Sequence, residues 1–273
     1  MEKKPIGIFD SGYGGLTVLK DIKVALPSYD LIYLGDNKRA PYGPLDYETV
    51  YEYTLECVKW FFKMGCPLVI LACNTASAKA LRTIQQRDLS VLGPEKRVLG
   101  VIRPTSEVIA DFTTSNHIGI LATAGTVQSN SYLLEIEKFS PQIQVVQEAC
   151  PEWVELVESG KQNSSDADEP VKMRIDNLLS KDKSIDTILL ACTHYPLLVD
   201  KIKLFVPTGI SVIAQGDIIA KSLVKYLKIH PETDEKCSKT GEIKFYTTGN
   251  EEDFNAHASA FFGAELAVTE INL

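Results

Sequence analysis

Two stretches of the chain are built alike. "VILACNTA" (Val69 to Ala76) runs apolar into a cysteine and turns polar at once, and "ILLACTHY" (Ile188 to Tyr195) repeats the design. A second matched landmark precedes each: "IGIFDSG" from Ile6 and "IGILATAG" from Ile118. Gly7 and Gly119 lie 112 residues apart and Cys73 and Cys192 lie 119 apart, so one unit of about that length occurs twice with small insertions. Such a chain is constrained to fold as two similar units.

Within each unit, short β-branched runs alternate with helix-length amphipathic segments, the pattern of strands and helices taking turns around a parallel sheet. The fold class read from this is α/β: two similar domains related by pseudo-symmetry, with the active site in the cleft between them. Ile6–Phe9, Leu31–Leu34, Leu68–Leu71 and Val98–Ile102 are the first strands, with a helix over Tyr47–Met64. Ile118–Leu121, Ile143–Gln147, Thr187–Leu190 and Ser211–Ile213 are the second series. The polar stretch Gly160–Pro170 reads as a solvated loop or connection. The last segment, from Lys239, carries one strand-like and one helix-like run and is too short to stand alone. It is expected to return to the first domain, giving residues 1–98 with 213–273 as one domain and 99–212 as the other.

The 273 residues, 45% of them hydrophobic, suffice for two modest cores without covalent staples. No run approaches the roughly 18 apolar residues of a membrane span, and the charged start has no apolar stretch behind it. A soluble, cytoplasmic protein is expected, with no membrane partner. The six cysteines are scattered, without CxxC pairs, which fits reduced thiols better than a disulfide scaffold or structural zinc. A net charge of -8 with no basic run argues against nucleic acid as partner.

In parallel α/β sheets, functional groups gather beyond the carboxyl ends of the strands, where Cys73 and Cys192 both fall. "NTASAKALRTIQ" and "THYPLLVDKIKLF" read as helix starts, placing each thiol near amide groups that lower a cysteine pKa and suit a carboxylate. A single unpaired cysteine is more often a core residue, and Cys57, Cys66, Cys150 and Cys237 are read so. Two at matched polar exits suggest a pair of acid/base groups on opposite faces of one carbon, which is the requirement of racemisation or epimerisation. Zinc held by the two cysteines and His194 is the rival local reading, without a clear fourth ligand.

"FDSGYGGLTVL", "GDNKRAPYG", "ACNTASA", "ATAGTVQS", "ACPEWVELVESG" and "ACTHYPLL" stand in this order between Phe9 and Leu198, and the resemblance they carry extends over about Ile6 to Gly263. Together they resemble the bacterial glutamate racemases of the cofactor-independent aspartate/glutamate racemase superfamily. The resemblance implies interconversion of L- and D-glutamate by two-base proton transfer without a cofactor or metal, in a cytoplasmic homodimer that supplies D-glutamate for peptidoglycan. It further implies Cys73 and Cys192 as catalytic acid/base residues. Asp10 would assist on the Cys73 side and His194 on the other. Glu158 matches a further acidic helper, with Glu152 and Glu155 close enough to leave that choice open. Asp10, Ser11, Tyr42, Gly43, Asn74, Thr75, Thr193 and His194 match substrate-binding positions, with Thr126 a weaker match. Thr75 and Thr193 are equally suited to capping helices.

The chain departs from the commoner pattern at Tyr13, at Asn37–Arg39 and at Arg103. Two other functions compete. "DSGYGGL" after a strand faintly resembles a dinucleotide fingerprint, but Gly12, Gly14 and Gly15 do not give G-x-G-x-x-G. A non-catalytic two-domain amino-acid binder would explain a cleft but not twin thiols.

Overall fold

The computed structural model describes residues 2–273. Among the described residues, ten strands form two wholly parallel sheets. The first contains β1 (Ile6–Asp10), β2 (Leu31–Gly35), β3 (Leu68–Leu71) and β4 (Arg97–Gly100). The second contains β5 (His117–Ala122), β6 (Gln144–Ala149), β7 (Thr187–Ala191) and β8 (Ser211–Ala214). Then β9 (Ile243–Thr247) and β10 (Val268–Glu270) return to the first sheet, β9 pairing with β2. The strand orders are β10-β9-β2-β1-β3-β4 and β6-β5-β7-β8, so the first four strands and the next four trace the same path.

The repeat extends to register. Gly7 pairs with Val69 and Gly119 with Ile188, and each cysteine lies four residues beyond the residue so paired. The matched glycines have one physical cause: helices press onto the sheet there. A Cβ on Gly7 would sit 2.5 Å from Phe61 Cδ1, and one on Gly119 would sit 2.6 Å from Leu178 Cδ2. β1, β2, β3 and β7 are buried throughout, as strands covered on both faces require.

The helix at Tyr47–Lys63 starts where Asp46 caps it by accepting from Thr49 N at 2.9 Å. Its buried residues, Val50, Tyr51, Thr54, Cys57, Val58, Phe61 and Phe62, recur at helical spacing and face the sheet. One continuous core crosses from Ile6 and Ile8 of the first sheet to Ile188 and Leu190 of the second.

Several expectations need correction. The strand expected over Val98–Ile102 ends at Gly100, and Ile102 opens a helix to Val108. The expected domain limits at 98 and 212 therefore cut through β4 and β8, whose pairing continues to Gly100 and Ala214. The polar stretch Gly160–Pro170 is not all loop: a 3-10 turn at Ser165–Ala167 leads into a helix at Asp168–Lys181. Asp168 and Glu169 suit the positive end of that helix, and Pro170 is tolerated in the first turn, where backbone N–H groups have no partner. After Cys192 the chain does not enter an α-helix directly. Turn residues Thr193 and His194 and a 3-10 segment at Tyr195–Leu198 precede the helix at Val199–Phe205.

Candidate active site

The carboxyl ends of β1, β3 and β7 converge on a cavity of about 30 Å3, room for a water molecule or two, lined by both Cys73 and Cys192. Each thiol is buried, at 6% exposure.

Cys73 caps the helix Asn74–Lys79: its Sγ accepts from Ala76 N at 3.4 Å. Ser11 Oγ, from the turn after β1, lies 3.4 Å from the same sulfur. Burial, reinforced by the charge of Asp10, pushes this thiol up to about 12, against the opposing contacts from Ser11 and the Ala76 amide. Asp10 is fully buried beneath the cavity and does not line it. Its carboxylate accepts from Gly12 N at 3.0 Å and from Thr193 Oγ1 at 3.5 Å, so its bonds reach toward the Cys192 segment rather than to Cys73. Burial raises its pKa, while His194 and the amides of Gly12 and Gly15 pull the other way.

Cys192 has different company. His194 Nδ1 lies 3.9 Å from its Sγ, and His194 Nε2 lies 2.9 Å from Glu158 Oε1. Phe261, from the C-terminal helix Glu251–Phe262, stands edge-on to the imidazole at 5.3 Å. Burial alone would lower the imidazole pKa, but Cys192 and Glu158 outweigh it and hold it up at about 10. At neutral pH the ring is therefore an imidazolium, donating at both nitrogens. Gly14 permits this approach, since a Cβ there would fall 2.5 Å from His194 Nδ1.

Geometry separates the three glutamates. Glu158 meets His194, Glu152 is engaged at 2.8 and 3.1 Å by Arg174, and Glu155 is exposed.

Tyr42 and Gly43 line the cavity from the loop after β2. Tyr42 donates to Asp36, which also takes Arg39 Nε at 2.7 Å and Thr248 Oγ1 at 2.7 Å. Thr247 Oγ1 donates to Asn37 Oδ1 at 2.9 Å, so this loop hangs on the end of β9. Gly43 O accepts Gly125 N from the opposite half at 3.1 Å. Thr75 Oγ1 lies 2.9 Å from Thr123 Oγ1 and 3.5 Å from Thr126 Oγ1, a chain of hydroxyls joining the halves. Thr126 is buried behind the cavity, whereas Ser11, Asn74, Thr75 and Thr193 line it.

Thr123 also lines the cavity and was missed by the sequence reading. The repeat contains the signal, because the 112-residue offset that maps Gly7 onto Gly119 maps Ser11 onto Thr123. Thr123 caps the helix Ala124–Ser129 and is easily dismissed as only a cap. Among the described residues, no Lys or Arg lines the cavity, so an anion there would be met by hydroxyls, amides and the His194 imidazolium. No group of three or more His, Cys, Asp or Glu among them is arranged to hold a metal.

The model of the Asp/Glu/Hydantoin racemase family matches residues 15–223. A glutamate racemase from Listeria monocytogenes is 38% identical over 99% of both chains. A crystal structure of a glutamate racemase isoform from Bacillus anthracis superposes with a TM-score of 0.90 at 31% identity, covering 100% of this chain and 99% of that one. One from Francisella tularensis, in complex with D-glutamate, gives 0.86 at 29% identity over 100% and 98%.

Proposed function

The chain belongs to the Asp/Glu/hydantoin racemase family, and from that premise we infer that it interconverts L- and D-glutamate, with Cys73 and Cys192 as the two bases. The observation that carries the reading is that two thiols at equivalent strand exits of two like-ordered sheets line one cavity.

In one direction a thiolate takes the α-proton and becomes a thiol, and the opposite thiol gives its proton to the other face of the carbanion and becomes a thiolate. The reverse reaction exchanges the roles. No cofactor is needed, because donors around the cavity stabilise the charge that develops. On the Cys192 side, His194, held by Glu158, places its Nδ1 beside the sulfur. On the Cys73 side, a thiol kept protonated by burial is ready to donate. Ser11, Tyr42, Gly43, Asn74, Thr75, Thr126, Thr193 and Thr123 form the binding shell, Asp10 and Thr126 acting from behind. The same reading has the two halves open for entry and close for reaction.

Incubation with L-glutamate and no added cofactor, followed by chiral chromatography, tests this: D-glutamate accumulates toward an equal mixture. Binding without turnover would leave only the amino-acid binder, and dependence on nicotinamide would favour the dinucleotide reading. In heavy water, early D-product carries deuterium at the α-carbon while remaining L-substrate does not; retention of the original proton would overturn the two-base scheme. Assay of L-aspartate beside L-glutamate measures the side-chain preference.

The wider setting proposed is a cytoplasmic homodimer supplying D-glutamate for peptidoglycan. No helix among the described residues is long and apolar enough to cross a membrane. Light scattering on the purified protein tests the dimer.

A further inference from the structure

Beside Cys73, three buried side chains close a ring of hydrogen bonds. Asn74 Nδ2 donates to Gln215 Oε1 at 2.8 Å, Gln215 Nε2 donates to Tyr132 Oη at 2.6 Å, and Tyr132 Oη donates to Asn74 Oδ1 at 2.6 Å. All three are at most 4% exposed. They come from separate parts of the chain. Asn74 opens the helix after β3, Tyr132 lies in the helix Ser131–Phe139 of the second unit, and Gln215 follows β8 where the chain leaves the second sheet.

The ring has only one sense. Thr105 Oγ1 gives its single proton to Val101 O at 2.8 Å, so it can only accept from Gln215, which donates Nε2 to it at 2.8 Å. That fixes the Gln215 amide, with Oε1 toward Asn74. Tyr132, accepting from Gln215, must give its one proton to Asn74 Oδ1. The Asn74 carboxamide therefore cannot turn over without leaving buried donors face to face and buried acceptors face to face.

An amide nitrogen carries two hydrogens. One of those on Asn74 Nδ2 goes to Gln215, and the other has no protein acceptor among the described residues, although Asn74 lines the cavity. We propose that Gln215 and Tyr132 are positioning residues: the ring holds Asn74 so that its second N–H meets a carboxylate oxygen of the bound amino acid. The inference rests on the reading of the cavity as the glutamate site and adds to it two residues that touch substrate only through Asn74.

The test is a double-variant cycle read in KM and kcat for L-glutamate, with thermal melting as a check on folding. Tyr132→Phe removes two of the three ring bonds while keeping the aromatic ring in place. Loss of a hydrogen bond to a charged group corresponds to about ten- to a hundredfold in binding, so Asn74→Ala raises KM by about that factor. Tyr132→Phe raises KM by at least several-fold, with kcat moved less. Because Tyr132 acts through Asn74, the double variant has the KM of Asn74→Ala alone. A KM within twofold of the parent for Tyr132→Phe, or effects that simply multiply in the double variant, would overturn the proposal. If Asn74→Ala itself leaves KM unchanged while the parent racemises, the role of Asn74 as a substrate contact fails, and the positioning role with it. A parent without racemase activity would instead remove the functional reading.

Discussion

Cys73 and Cys192 occupy the same place in two copies of one scaffold, each four residues past the partner of a landmark glycine, yet their neighbours differ in kind. Cys73 sits at a helix cap, touched by a backbone amide and a hydroxyl. Cys192 sits before a turn, beside an imidazole whose other nitrogen meets a carboxylate. A repeated backbone fixes where two thiols lie; the surrounding residues decide what each one touches. In the proposed reaction one thiol gives a proton and the other takes one, and the two turns give them unlike surroundings.

The comparison can be broken most severely by deleting either thiol. Cys73→Ala and Cys192→Ala should each lower racemisation by at least about a thousandfold, since each removes the only proton carrier on one face, while calorimetry still detects glutamate binding. If one variant racemises near the parent rate, the two sides are not equivalent members of a pair.

His194→Asn should cost about a hundredfold in turnover and act unequally on the two directions. Thermodynamics fixes the ratio of the two kcat/KM values, so the inequality must be sought in kcat and KM separately. Equal effects in both directions would mean that His194 does not distinguish the sides.

Glu158→Gln is milder and shows itself in pH. The His194 pKa is raised from 6.5 to about 10, so its imidazolium persists through neutral pH and is lost as pH rises through about 10. Any stability it contributes is fully present below about pH 6.5 and declines as pH rises from there through about 10. Removing the carboxylate should move the alkaline fall in kcat toward neutral by about a pH unit. An unmoved profile would assign the raised pKa to Cys192 alone.

Ser11→Ala should have the smallest effect, about two- to tenfold in rate, the loss of one hydrogen bond to Cys73. Unlike Glu158→Gln, it should leave the alkaline limb where it was.

Much of this was legible in the sequence because it is written in short-range pattern. Apolar runs that end at a cysteine gave the strand exits, and two glycines 112 residues apart gave the repeat. Choosing among Glu152, Glu155 and Glu158 was beyond that pattern, because the choice depends on Arg174 and His194, which are distant in sequence. Gln215 and Tyr132 escaped notice for the same reason: a buried glutamine and a buried tyrosine carry no local signature of the ring they make with Asn74. The expected helix after Cys192 failed locally, where the chain makes a turn and a 3-10 segment containing Pro196 before the α-helix.

The return of the last segment to the first sheet gives the site contacts that are made late in chain order. A growing chain emerges from the ribosome amino end first, and by residue 214 it has supplied both thiols, His194 and all four strands of the second sheet. At that stage β2 is still an open edge, Asp36 lacks Thr248, and the imidazole lacks Phe261. The loop bearing Tyr42 gains its anchor, and His194 its cover, only when residues 243–262 arrive. A chain that lacks those residues lacks the Asp36–Thr248 anchor and the Phe261 cover.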